Sequence, residues 1–258
     1  MDSTDKFDFS DFAPILSDAC GPALQLADAH SRLANEMFAA LPEQMKVEQA
    51  VICGLVRMTT TGWVELLILV GNGAGLGAMK IACGMFETSV MAEYLRQTPA
   101  EIEDYIGYFR ILQFKRIQES PGVVSAEKSA EIEKEYNRVR PRFQDKNGRI
   151  RKQWNKHSIS YMAEKIGRKN QYELAYSITA SIHHGNCEAL MAHLSGDSSA
   201  FDVDSPPSLE WIEQALVSGH IYLLHALATL NDLLKLGFQE HLRLADEKFE
   251  KVWHKPSN

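Results

Sequence analysis

Cysteine is scarce: Cys20, Cys53, Cys83 and Cys187 are the four in 258 residues, far apart and without a C-x-x-C pair. That excludes a disulfide framework and a zinc ribbon, and leaves small buried reduced thiols as the expectation. No sustained period-two run bounded by hairpin turns occurs, which removes the sheet-based classes. Uninterrupted apolar stretches stay well short of the ~18 residues a membrane span needs. Arg57 and Glu65 break one, and His220, His225 and Asp232 break another. The opening MDSTDKFDFSDF is acidic and lacks the basic and apolar regions of an export signal. A cytoplasmic chain that engages no membrane is therefore expected.

Net charge is −7, which argues against a general nucleic-acid coat. The average hides an asymmetry. Residues 110–169 carry sixteen Lys or Arg against seven Asp or Glu, so one basic stretch sits in an acidic chain.

What is present is helical periodicity. Apolar positions recur at three and four residues nearly throughout, so the expected class is all-α: an irregular bundle of about eight or nine helices. The spacing predicts helices over 12–40, 43–70 and 76–97, the second ending at the glycine cluster GNGAGLG. Thr98-Pro99-Ala100-Glu101 reads as a helix start with a capping hydroxyl, a proline at the first position and a carboxylate at the third. Ser120-Pro121-Gly122 stops that helix, and Ser125 opens a polar one. Residues 141–157 read as a basic irregular linker. Ser158 or Ser160 opens a short helix to Gly167, and another runs from about Gln171 to His193, kinked at Gly185. Residues 195–208 read as a loop, and helices over 209–236 and 238–253 close the chain. No repeat or linker divides it, so residues 1–258 are expected to form one helical domain, with the helices of 209–253 packed on a core at about 45–195.

The glycine cluster fails both phosphate-loop spacings, since Lys80 stands between Met79 and Ile81. No cofactor motif remains. Glu87 lies among Ala82, Met85, Phe86, Val90 and Met91, and a carboxylate in such company requires a partner or a raised pKa. In YELAYSITASIHHGN, Tyr172 and Tyr176 share a helical face, and Ser177, Ser181 and His184 recur at four and three residues. Such a stripe is either a hydrogen-bond network or the wall of a polar cleft. No metal is expected, because no E-x-x-H occurs. Residues 138–157 hold eight Lys or Arg against Asp145 alone, with Phe143 and Trp154 interleaved. Arg138, Arg140, Arg142, Arg149, Arg151 and Lys152 could neutralise phosphates and Trp154 could stack on a base, with Lys80 as a further anion contact.

The run GMFETSVMAEYLRQTPAEIEDYIGYF followed by YELAYSITASIHHGN resembles a bacterial helical family catalogued as a domain of unknown function. The positions that carry the resemblance are Phe86-Glu87, Tyr94-Leu95, Tyr176, Ser181 and His184-Gly185, within about 45–195. Where relatives carry an Arg shortly before the Glu, this chain has Cys83, with Lys80 one turn earlier. The resemblance implies a helical fold, similar in layout to HEPN-like and abortive-infection proteins, and no established activity. Arg151 and His157 have the R-x4-6-H spacing of HEPN ribonucleases, but in the expected linker rather than on a final core helix.

Glu87, Tyr94, Tyr176, Ser181 and His184 are thus expected to converge on one polar pocket. Two function classes share it. In one, a nucleic-acid-directed enzyme or defence toxin uses His184 as acid/base with Glu87 orienting it. In the other, a non-enzymatic binding or regulatory module keeps the cluster for structure and meets a partner, or a second copy of itself, through its surface.

Overall fold

The computed structural model describes residues 12–185, 190, 195–197, 200–202 and 211–253. Among these residues nine helices carry the fold. Helix α1 spans Phe12–Ala39, α2 Val47–Gly71, α3 Gly75–Gln97, α4 Ile102–Glu119, α5 Ala126–Val139 and α6 Ile159–Lys165. Helix α7 is composite: Lys169–Gln171, a π-helical turn Tyr172–Tyr176, then Ser177–His183. Helices α8 (Ile212–Leu234) and α9 (Gln239–Trp253) end the described chain. The all-α expectation holds.

Local chemistry explains most boundaries. Ser125 Oγ accepts the Lys128 N–H at 3.2 Å and Ser158 Oγ accepts the Tyr161 N–H at 3.2 Å, each satisfying one free donor of a first turn. Thr98 behaves otherwise. Its hydroxyl donates back to the Tyr94 carbonyl at 2.7 Å, and a 3-10 turn, Pro99–Glu101, precedes α4. Helix α2 begins at Val47 rather than near 43. The helix expected to run to His193 with a kink at Gly185 is broken after His183, with Gly185 left-handed at φ +63° and Leu190 helical again; residues 186–189 and 191–194 lie outside the described residues. Part of the expected loop over 195–208 is a hairpin pairing Ser195–Asp197 with Ala200–Asp202.

Helices α2, α3 and α8 pack on one another at the centre, with α1 and α9 against α8, and α7 against α3. The α2–α8 contact is close because Gly219 has no side chain: a Cβ there would lie 2.9 Å from the Trp63 ring and 3.0 Å from Leu66. Trp63, Leu66, Phe86, Leu95, Ile212 and Tyr222 are fully buried in one continuous core that runs from Leu16 to Phe249. Helix α2 is long and apolar enough to cross a membrane. Its inner face is instead filled by this core, while Arg57 and Glu65 lie on its exposed face. A satellite cluster of Tyr108, Ile111, Val139 and Phe143 joins α4 to α5.

Candidate functional site

Helix α3 runs antiparallel to α7, and their seam is built from aromatic rings. Phe86 stacks on Tyr176 at 4.6 Å and lies 6.4 Å from Tyr172. The Tyr172 and Tyr176 rings, four residues apart across the π-turn, stack at 5.2 Å. At this seam the Tyr176 hydroxyl donates to Glu87 Oε1 at 2.7 Å. Burial first, and then the neighbouring carboxylate, pushes the Tyr176 phenol above its ordinary value, so at neutral pH it is a proton donor. Buried Cys83 sits beside the pair, its thiol raised to about 11 by burial first and then by Glu87. The half-buried Glu87 therefore has the partner its apolar surroundings require.

The remaining expected residues divide. Tyr94 lies further along α3, where its hydroxyl donates to Glu101 Oε1 at 2.8 Å while Asn155 Nδ2 donates to Glu101 Oε2 at 2.8 Å. That is a separate cluster, sealed by Asn155 and turned toward α4 rather than Glu87. Ser181 is half-buried on α7. His184 caps α7 with its ring exposed against His183, the two centroids 5.0 Å apart. It lies eight residues, about 12 Å of helical rise, beyond Tyr176. No hydrogen bond joins it to Glu87 among the described residues. With Cys83 opposite Tyr176 and Ser89 opposite Arg168, the antiparallel register carries His184 toward the exposed Lys80 end of α3.

The basic segment is more structured than a linker. Arg140–Phe143 forms a 3-10 turn, and Gln144 and Ile150 form an antiparallel bridge around a tight turn. Asp145 Oδ1 accepts the Asn147 and Arg149 N–H groups at 2.8 and 2.9 Å, with Gly148 at φ +75°. Several cations are committed locally. Arg138 pairs with Glu135 at 2.9 Å, Arg142 with Glu103 and with Asp104, and Arg140 lies 6.0 Å over Tyr136. Arg151 lies 5.4 Å over Phe143 and donates to the Arg142 carbonyl at 2.9 Å. The aromatics face inward: Phe143 is fully buried, and Trp154 packs edge-on against Tyr105 at 5.2 Å. Phe143 is thus closed to base stacking, while Trp154 stays partly exposed. Lys146, Arg149, Lys152 and Lys156 are exposed.

The sequence reading missed the most demanding polar group of all. Arg168, only 4% exposed, enters the core between α3, α7 and α8. Its Nη1 donates to Ser89 Oγ at 3.0 Å and faces Glu93 at 3.9 Å, its Nε donates to Gln171 Oε1 at 2.7 Å, and its Nη2 has no partner among the described residues. The guanidinium lies 5.3 Å from the Phe86 centroid and 6.0 Å from that of Tyr222. Burial lowers its pKa to about 10, leaving it charged at neutral pH, and burial raises the Glu93 carboxyl against the pull of Arg168. Gln171 in turn meets His225 Nε2 at 2.8 Å. Burial first, then Arg168, holds His225 down at about 3, so the ring is neutral. A second imidazole cluster is apolar. His30 and His220 meet edge-on at 5.0 Å beside Trp63, at about 4 and about 3, lowered chiefly by burial. Only an interruption of the apolar run of α8 by His220 and His225 signalled either cluster in the sequence.

Among the described residues no three His, Cys, Asp or Glu side chains gather as a metal site would require, and Cys20, Cys53 and Cys83 are free thiols. The fold and its seams thus define an all-helical scaffold whose polar groups are mostly committed to one another. The chain belongs to the DUF5677 family, a family of unknown function, whose profile matches residues 49–201. The matched span includes Phe86-Glu87, Tyr94-Leu95, Tyr176, Ser181 and His184-Gly185. No curated protein and no solved structure matches the chain.

Proposed function

We propose that the protein is a non-enzymatic helical binding module, in which the Glu87 and Tyr94 clusters hold helices together and recognition lies elsewhere. One observation carries this reading: the Glu87 carboxylate takes the Tyr176 hydroxyl at 2.7 Å, while His184 stands exposed two turns away and, among the described residues, meets the ring of His183 alone. An imidazole with no acid to orient it among the described residues, and a carboxylate already holding a phenol, make a poor acid/base pair. The test is RNA degradation by the purified protein beside His184→Ala. Parent and variant should both match buffer; cleavage by the parent that vanishes in the variant would overturn the reading.

A second reading, anion or nucleic-acid binding by the 138–157 segment, is favoured by the exposed Lys146, Arg149, Lys152 and Lys156. Four such contacts to a single strand give a slope of log affinity on log salt of about −3. A flat dependence, or no retention of a labelled oligonucleotide at low salt, counts against it.

A further inference from the structure

A cavity of about 400 Å³ opens between α7, α8 and α9. Its walls are mainly apolar, with Ile221, Leu224, Leu242 and Phe249 among them, and its polar groups are few: Gln171 and His225 from α7 and α8, Asp246 and Arg243 from α9. Such a volume suits a small organic molecule rather than a peptide or a nucleic-acid strand.

The state of His225 follows from a chain of hydrogen bonds that starts at Arg168. Arginine has no acceptor, so the Gln171 atom at 2.7 Å from Arg168 Nε is the amide oxygen. The amide nitrogen of Gln171 is then the atom at 2.8 Å from His225 Nε2, which must accept. A neutral imidazole that accepts at Nε2 carries its proton on Nδ1. Among the described residues the only side-chain bond of His225 is at Nε2, and its half-buried ring lines the cavity, so Nδ1–H is the donor a guest can reach. The whole device, a buried cation orienting an amide that fixes a tautomer, ends in one hydrogen bond offered to the cavity.

The opposite wall has the other sign. Arg243 is occupied by Glu240 and Glu247, whereas Asp246 is exposed with no side-chain partner among the described residues. With Arg243 already paired, Asp246 is the charge left to a guest, and it favours a cationic end over an anionic one. Resting on the binding-module reading above, we infer that this cavity binds a small organic amine with an apolar or aromatic body. Its far end carries a hydrogen-bond acceptor. His225 Nδ1–H donates to that acceptor, Asp246 receives the ammonium, and Leu224 and Phe249 enclose the body.

Tyramine has both ends, phenethylamine lacks the acceptor, p-cresol lacks the ammonium, and 4-hydroxyphenylacetate reverses the charge. Calorimetric titration of the full chain should give one tyramine site at about 1 mM or tighter, with each of the other three weaker by about tenfold or more. Asp246→Asn, at an exposed position, should cost tyramine about tenfold and leave p-cresol unchanged. His225→Phe should weaken tyramine toward phenethylamine. The inference is overturned if none of the four binds below about 10 mM, if 4-hydroxyphenylacetate binds best, or if tyramine ignores Asp246→Asn. RNA cleavage that depends on His184 would remove the binding-module reading while leaving this titration intact, so the two failures are separable.

Discussion

Helix α3 turns two carboxylates toward α7, six residues apart, and they are satisfied in opposite ways. Glu87 is half-buried and takes a short bond from a neutral phenol, Tyr176, whose ionisation burial and Glu87 both oppose. Glu93 faces a guanidinium at 3.9 Å, and that guanidinium is spread over Ser89, Gln171 and two aromatic faces rather than given to Glu93 alone. The first arrangement involves one charge near water and needs one partner. The second involves a cation deep in the core and needs many, because desolvating it costs several kcal/mol before any contact is made. One seam is therefore a simple helix-to-helix tie, and the other is a network that fixes α3, α7 and α8 together.

The difference has graded consequences. Arg168→Ala should destabilise the fold by as much as about 5 kcal/mol, since it strips partners from Ser89, Gln171 and Glu93 at once. Urea unfolding measures this, and a loss below about 1 kcal/mol would make the network ornamental. Acid comes next. His30 and His220 charge near 6.5 in the unfolded chain but only near 4 and 3 in the fold. Their contribution is therefore complete above about pH 6.5 and declines as pH falls toward 3, reaching about 4 kcal/mol of lost stability by pH 5. Urea midpoints at pH 7.5 and 5 test the sign, and equal midpoints contradict it. Gly219→Ala probes packing without charge: the Trp63 ring has no room to yield, and a loss of about 1–3 kcal/mol is expected despite better helix propensity. Smallest is Tyr176→Phe, at about 1 kcal/mol, because the half-exposed Glu87 can take water in place of the hydroxyl. If Tyr176→Phe costs as much as Arg168→Ala, the contrast between the two seams collapses.

Much of the helical frame was legible because its signals are local. Ser125 and Ser158 announce α5 and α6, the glycines at 71–77 separate α2 from α3, and three- and four-residue spacing marks the buried faces. Glu87 was recognised as needing a partner, and Tyr176 stood in the stripe that supplies it. What escaped was pairing across long separations. The bond from Asn155 to Glu101 spans 54 residues, so Tyr94 seemed to belong with Glu87 when its hydroxyl serves another carboxylate. Arg168 escaped because in IGRKNQ it looks like one more surface cation after a turn glycine. Only its three-dimensional position, just past Gly167 at φ +79°, sends it inward. The Asp145-Lys146-Asn147-Gly148 turn was visible as turn residues, but the density of basic side chains around it favoured a linker.

The π-turn at Tyr172–Tyr176 acts as a vernier. It sets the rotational phase of everything C-terminal to it against the Arg168–Gln171 end, and no single replacement can reset that winding, since only loss of the extra residue restores an ordinary turn. Because a π-turn holds one residue more than an α-turn, deleting one residue inside it would return the helix to ordinary winding with Tyr176 still facing Glu87 and Arg168 still in place, whereas the same deletion in a regular stretch would turn everything beyond it by roughly 100°.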